Sequence, residues 1–176
     1  METEPLKICK YGDEVLKVKA AEIRDITGRI LELAASMTRT MHLAPGIGLA
    51  APQVGESLQL ITVDLSVGEN PEELLIVINP RIVAAEGHET SEEGCLSVPG
   101  YRGLVTRATQ VTIKGQDVRG HAVRYRAEGL LAQAFQHELD HLDGVLYIDH
   151  IEGPSKFWRI EPEPQSTAEP QVTRAE

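Results

Sequence analysis

The densest group of residues able to do chemistry is QHELDHLDG, from Gln136 to Gly144. On a helix, residues four apart share one face about 6 Å along the axis, so His137 and His141 can point two imidazoles at one ion. Glu138 projects beside them, placed to take a proton from a polarised water and hand it to a leaving group, which is the chemistry of metal-assisted hydrolysis. Asp140 and Asp143 can orient a ligand histidine through its second ring nitrogen, but read more simply as charges on a solvated helix face. The plain alternative for the pair, two histidines that happen to lie four apart, is countered by the glutamate that follows the first.

Two histidines leave an ion under-coordinated, so a third ligand must lie elsewhere. The extended protease pattern H-E-x-x-H-x-x-G-x-x-H is followed through Gly144, but its last histidine fails at Tyr147, and His150 comes three residues too late. A glutamate from a downstream helix is no better supplied, because Glu152, Glu161 and Glu163 lie in a Pro-rich stretch with nothing to fix them. Upstream, TSEEGCLSVPG places Cys95 in a Gly-flanked turn before a strand-like segment. Alone it reads as an ordinary thiol; joined to the histidine pair it is the best third ligand. One thiolate and two imidazoles leave the fourth tetrahedral position open, a catalytic arrangement suited to Zn²⁺, Fe²⁺, Co²⁺ or Ni²⁺ rather than Mg²⁺ or Ca²⁺. Cys9 has no ligand types near it and reads as structural.

These residues need elements to hold them. From Ile23 to Leu43 the apolar residues Ile23, Ile26, Ile30, Leu31, Leu33, Ala34, Met37 and Met41 recur at helical spacing, which predicts a long amphipathic helix ending near APGIG. Segments 58–65, 74–80, 103–110, 109–116 and 122–129 are rich in β-branched residues and bounded by turn residues, so they predict strands, mostly antiparallel. Helical spacing returns in GLLAQAFQHELDHLDG, with Gly144 as its C-cap. The fold class is α+β: mostly antiparallel strands packed around a central metal-binding helix, with a long N-terminal helix. Residues 1–152 form the catalytic domain. Residues 153–176 read as a Pro-rich polar tail, largely disordered, from which Phe157 and Trp158 can dock onto the body.

The 176 residues carry a formal charge of −10, which argues against DNA or an anionic membrane as the main partner. No apolar run is long enough to span a bilayer, and the first residues resemble neither a signal nor a transit peptide, so the chain reads as cytoplasmic and bacterial.

Three segments taken together, GIGLAAPQ (46–53), EGCLS (93–97) and HELDH (137–141), resemble the peptide deformylases in the order of that family. The likeness spans roughly residues 5–150. It implies removal of the formyl group from the N-terminal formylmethionine of newly made proteins, releasing formate. It implies a metal on Cys95, His137 and His141, commonly Fe²⁺, with Glu138 as general acid/base. Gln53 would donate its side-chain amide to the formyl oxygen and Leu96 its backbone N–H. Gly48 would contact the substrate backbone, with Gly46, Glu93 and Gly94 also at substrate-binding positions. The residues agree with these roles, since a tetrahedral oxyanion needs donors preplaced where charge develops, and the small residues of GIGLAAP let a peptide approach closely.

A methionine side chain needs an apolar pocket, for which Ile47, Leu130 and Ala134 are candidates; ordinary core packing is the bland reading of each. Arg102 can hold a substrate carbonyl or an acidic neighbour such as Glu93. One departure is Gln133, often apolar in relatives, which would alter side-chain preference if its amide faces the pocket. The other is the non-basic tail, where Pro162 and Pro164 preclude a helical ribosome anchor and leave only a transient ribosome encounter. Two other readings are weaker. Intact Glu138 and Gln53 speak against a non-hydrolytic binder of formylated N-termini, and the missing histidine at 147 speaks against a zinc endopeptidase.

Overall fold

The computed structural model describes residues 4–160. Helix α1 spans Gly28–Leu43 and buries Ile30, Ala34, Met37 and Met41, a stripe at spacings of three and four. It begins five residues later than its apolar periodicity suggests. Ile23 packs in the same cluster as α1, but its backbone lies outside the helix and is bracketed by Asn79. The Ile23 N–H donates to Asn79 Oδ1 at 2.9 Å, and Asn79 Nδ2 donates to the Ile23 carbonyl at 2.8 Å. Apolar rhythm therefore continues where helical hydrogen bonding does not.

Strands β1 (Gly48–Ala50), β2 (Leu60–Val63), β3 (Leu75–Glu86), β6 (Gln110–Gln116) and β7 (Ala122–Glu128) form one antiparallel sheet in the order β1-β2-β3-β6-β7. β3 continues six residues past Pro80. Its pairing with β6 slips between Ile78 and Arg81, so the imino residue falls where the ladder is already interrupted. Strands β4 (Glu89–Cys95), β5 (Val98–Arg107) and β8 (Phe157–Arg159) make a second antiparallel sheet, β4-β5-β8. β4 is acidic with Glu93 its one buried residue, and β5 carries Pro99 and Gly100 directly after Val98, so neither shows an apolar alternation at that end.

The polar segment after residue 152 therefore joins the body as far as Ile160. Phe157 stacks on Tyr101 with centroids 5.1 Å apart and pairs opposite Gly103, while Trp158 pairs opposite Arg102. Residues 161–176, the rest of the expected tail, lie outside the described residues.

Helix α2 spans Gly129–Leu142 and follows β7 directly. Gly144 ends it in the left-handed region: its N–H bonds the His141 carbonyl, and Val145 N–H bonds that of Asp140. Phe135, Ala132 and Leu142 pack with Ile61, Val63, Val77, Val111 and Ile113 in one core cluster. α1 shares a second with Leu49, Leu60 and Ile78, and Tyr147, Leu146, Val98 and Val105 make a third. α1 and α2 are the two α-helices among the described residues, and neither is long and apolar enough to cross a membrane.

Candidate active site

β4 and α2 converge at Cys95, His137 and His141, whose donor atoms all lie within 4.8 Å of one another. Cys95 Sγ is 3.3 Å from His141 Nε2. Donors placed tetrahedrally around one ion at thiolate and imidazole bond lengths stand about 3.3–3.8 Å apart, so this triad fits such an ion. Cys95 projects from a turn in which pairing jumps from Glu93↔Gly103 to Cys95↔Val98, and the Ser97 N–H points at its sulfur at 3.4 Å. Burial holds the His141 imidazole well below its ordinary pKa and hence neutral. For His137, burial works against charge, but hydrogen bonds to Cys95 and Glu93 outweigh it and raise the pKa.

The His137 Nδ1–H donates to Glu93 Oε2 at 3.0 Å, which leaves Nε2 free to face the triad. Arg107 grips the same carboxylate twice, Nε to Oε1 at 2.7 Å and Nη2 to Oε2 at 2.9 Å. Burial disfavours the Glu93 charge, yet these bonds hold its pKa down at about 2. Glu138, next along α2, is buried too, and its Oε2 has no hydrogen-bond partner among the described residues. Burial pushes its pKa up to about 7.

Gln53 comes from the short helical turn after β1. Its Oε1 accepts from the Ala50 N–H at 2.9 Å, which turns the amide nitrogen toward Ser97 Oγ at 3.2 Å and Cys95 Sγ at 3.5 Å. A cavity of about 560 Å³ opens over this floor, lined by the loop before β1, the β4–β5 turn and one face of α2. It contains an acid/base near neutrality, an amide donor and a triad able to hold a metal, which together equip it for hydrolysis of a small carbonyl group.

The polypeptide deformylase family profile matches residues 5–157. The chain belongs to that family. It is 52% identical over 146 residues to a peptide deformylase of Halothermothrix orenii, covering 83% of this chain and 93% of the relative. Among solved structures, a peptide deformylase from Legionella pneumophila superposes with a TM-score of 0.82 at 40% identity, covering 86% of this chain and 88% of that one. One from Synechococcus elongatus, in complex with actinonin, gives 0.81 at 40% identity, covering 88% and 83%.

The residues expected at the site gather in and around the cleft. Ile47, Gly48, Gln53, Gly94, Leu96, Arg102, Leu130, Ala134, His137 and Glu138 all line the cleft with Cys95, and His141 lies buried beside them. Gly46 is outside the lining and packs on Leu96, while Gly48 lies against Glu138 so closely that a side chain there would overlap the carboxylate. Glu93, also expected at a substrate-binding position, lines the cleft too, with its carboxylate taken by Arg107 and His137. The acidic neighbour of Arg102 is accordingly Glu92, at 3.7 Å. Gln133 lines the cleft with its amide tied to the Glu92 carbonyl at 3.2 Å.

Sequence reasoning missed Arg107, Ser97 and the role of Asp140. Asp140 is no free surface charge: its Oδ2 accepts from Arg107 Nη1 at 2.6 Å and from His150 Nε2 at 2.7 Å. Ser97, two residues after a candidate thiolate, offered a local signal, since an N–H at that offset can reach the sulfur; Arg107 offered none.

Proposed function

We propose that this chain removes the formyl group from the N-terminal formylmethionine of nascent proteins in a bacterial cytoplasm and releases formate, using one divalent ion, Fe²⁺ in the cell, held by Cys95, His137 and His141. Zn²⁺, Ni²⁺ or Co²⁺ would fit the same donors. The observation that carries the reading is the meeting of three distant segments in one cleft, with Gln53 Nε2 3.5 Å from Cys95 Sγ and the unpaired Glu138 carboxylate beside the same triad. Held by Cys95, His137 and His141, the ion would supply the Lewis acidity that makes a nearby water easier to deprotonate.

The chain's own groups do the rest. A carboxylate of pKa about 7 is matched to accepting and returning a proton near neutral pH, so Glu138 takes the proton from water and delivers it to the departing amine. The Gln53 amide, aimed by its bond from Ala50 N–H, and the Leu96 N–H donate to the oxygen where negative charge develops. The Gln53 amide is held in place before substrate arrives, which limits reorganisation during the reaction. Ile47, Leu130 and Ala134 offer apolar surface to the methionine side chain, and Gly48 and Gly94 leave room for the peptide backbone. Gln133 adds a polar group to that wall and would moderate the preference for methionine.

The test is formate release from formyl-Met-Ala-Ser by protein loaded anaerobically with Fe²⁺, with Cys95→Ala as control. Formate from the wild type and none from the variant supports both the reaction and the third ligand. A folded, metallated wild type that releases none refutes the reading.

A further inference from the structure

Helix α2 separates two cavities. Leu130, Gln133, Ala134, His137 and Glu138 face the catalytic cleft, whereas Gln136, Leu139, Asp140 and Asp143 face a second cavity of about 700 Å³ that also contains His88 and His150. An unbroken series of charge-assisted hydrogen bonds links the two. His150 Nε2 lies 2.7 Å from Asp140 Oδ2, and the same oxygen accepts from Arg107 Nη1 at 2.6 Å. Arg107 passes on to Glu93 through Nε and Nη2, and Glu93 accepts from His137 Nδ1 at 3.0 Å. Arg107 and Glu93 are buried, and exposure rises only at the outer end, where the His150 side chain is 38% accessible.

We propose that His150 is a positioning residue for the metal centre, acting through Asp140, Arg107 and Glu93 to set the orientation of the His137 imidazole. The inference rests on reading Cys95, His137 and His141 as metal ligands. A guanidinium is a rigid plane, so a shift in the acceptor at Nη1 tilts the fork that holds Glu93. Asp140 is partly exposed and anchored by one oxygen, so it needs a second partner to hold its rotamer. His150 can serve because its own backbone is fixed. The Asp149 carboxylate caps that turn through the Leu146 N–H at 2.8 Å, and its exposed pair with Lys17 at 3.0 Å adds little to that cap. Rigidity enters from the surface turn and is delivered to a ligand nitrogen four side chains away. Removing a group that directly supports a ligand histidine typically costs 10- to 100-fold in metal affinity, and at this remove the effect shrinks to about two- to fivefold.

Co²⁺-loaded wild type, His150→Ala, His150→Gln and Lys17→Ala are compared in three readouts: the half-time of Co²⁺ release to excess chelator, the visible spectrum of the bound ion, and kcat and KM separately. His150→Ala should release Co²⁺ about two- to fivefold faster, shift the visible bands, and lower kcat more than it raises KM. His150→Gln, which keeps an N–H for Asp140, should restore all three, and Lys17→Ala should match wild type. Wild-type release and spectrum in His150→Ala would overturn the inference, as would equal losses in the Ala and Gln variants, which would mark a packing role. A wild type that binds no Co²⁺ would overturn the metal reading itself, and this inference with it.

Discussion

Arg107→Met separates what the buried charge network does for the fold from what it does for the metal site. In the wild type, Glu93 is 3% exposed and takes two of its hydrogen bonds from Arg107. The substitution leaves that carboxylate buried with His137 alone, and breaking a buried pair from one side costs about 3–5 kcal/mol. Asp140 adds little, because its side chain is 24% exposed and regains water. Arg107→Met combined with Glu93→Met replaces the pair by apolar groups of similar length and should recover most of that loss. The same double variant takes away the acceptor of His137 Nδ1, so metal affinity should remain about 10- to 100-fold below wild type. Urea denaturation of the metal-free proteins gives the first quantity and chelator competition the second. A loss under about 1 kcal/mol in Arg107→Met, or a double variant as unstable as the single, refutes the reasoning.

Glu138→Gln should keep one ion per chain while formate release falls by about 10²- to 10⁴-fold, and near-wild-type turnover would remove the proton-transfer role. Gly48→Ala inserts a methyl into the Glu138 carboxylate; displacing that group by about 1 Å should lower kcat on the order of 100-fold with metal content unchanged, as steady-state assays and metal analysis would show. Acid should weaken the loop after β2 through Asp64. Burial raises the pKa of this carboxylate, but bonds from Ser66, His42 and Gly68 outweigh that and bring it below the ordinary value. A depressed folded pKa contributes stability above the unfolded value of about 3.9 that is lost as pH falls through the folded one. The gap in urea midpoint between wild type and Asp64→Asn should therefore narrow from pH 7 to pH 3, and a constant gap would count against it.

The elements legible in the sequence were those whose hydrogen bonding and apolar rhythm coincide. α2 is one, because its buried face and its glycine stop agree at Leu142 and Gly144. β6 and β7 are others, read to within a residue or two from β-branched content. The errors fall where rhythm and backbone part company. Ile23 continues the α1 stripe outside the helix, because Asn79 captures its peptide groups. Pro80 looked like a strand end but sits where the β3–β6 register slips.

The surroundings of Glu93 turn on one element left unseen in the sequence, strand β4. Local motifs name ligand types and spacings, so the Cys95, His137 and His141 cluster was accessible, as was the neighbourhood of Gln53 and Glu138. A strand alternates its sides, and once residues 89–95 are known to be one, neighbouring Glu92 and Glu93 must face opposite ways. Glu93 then points inward, where a carboxylate is tolerable only with a cation and hydrogen bonds, and Glu92 is left outside for Arg102. That demand for a buried cation could have been stated without coordinates; its supplier, Arg107, sits fourteen residues away across the β4–β5 pairing. Pairing register, which one sequence leaves open, therefore decides whether a conspicuous acid beside a metal ligand meets substrate or holds the ligand in place.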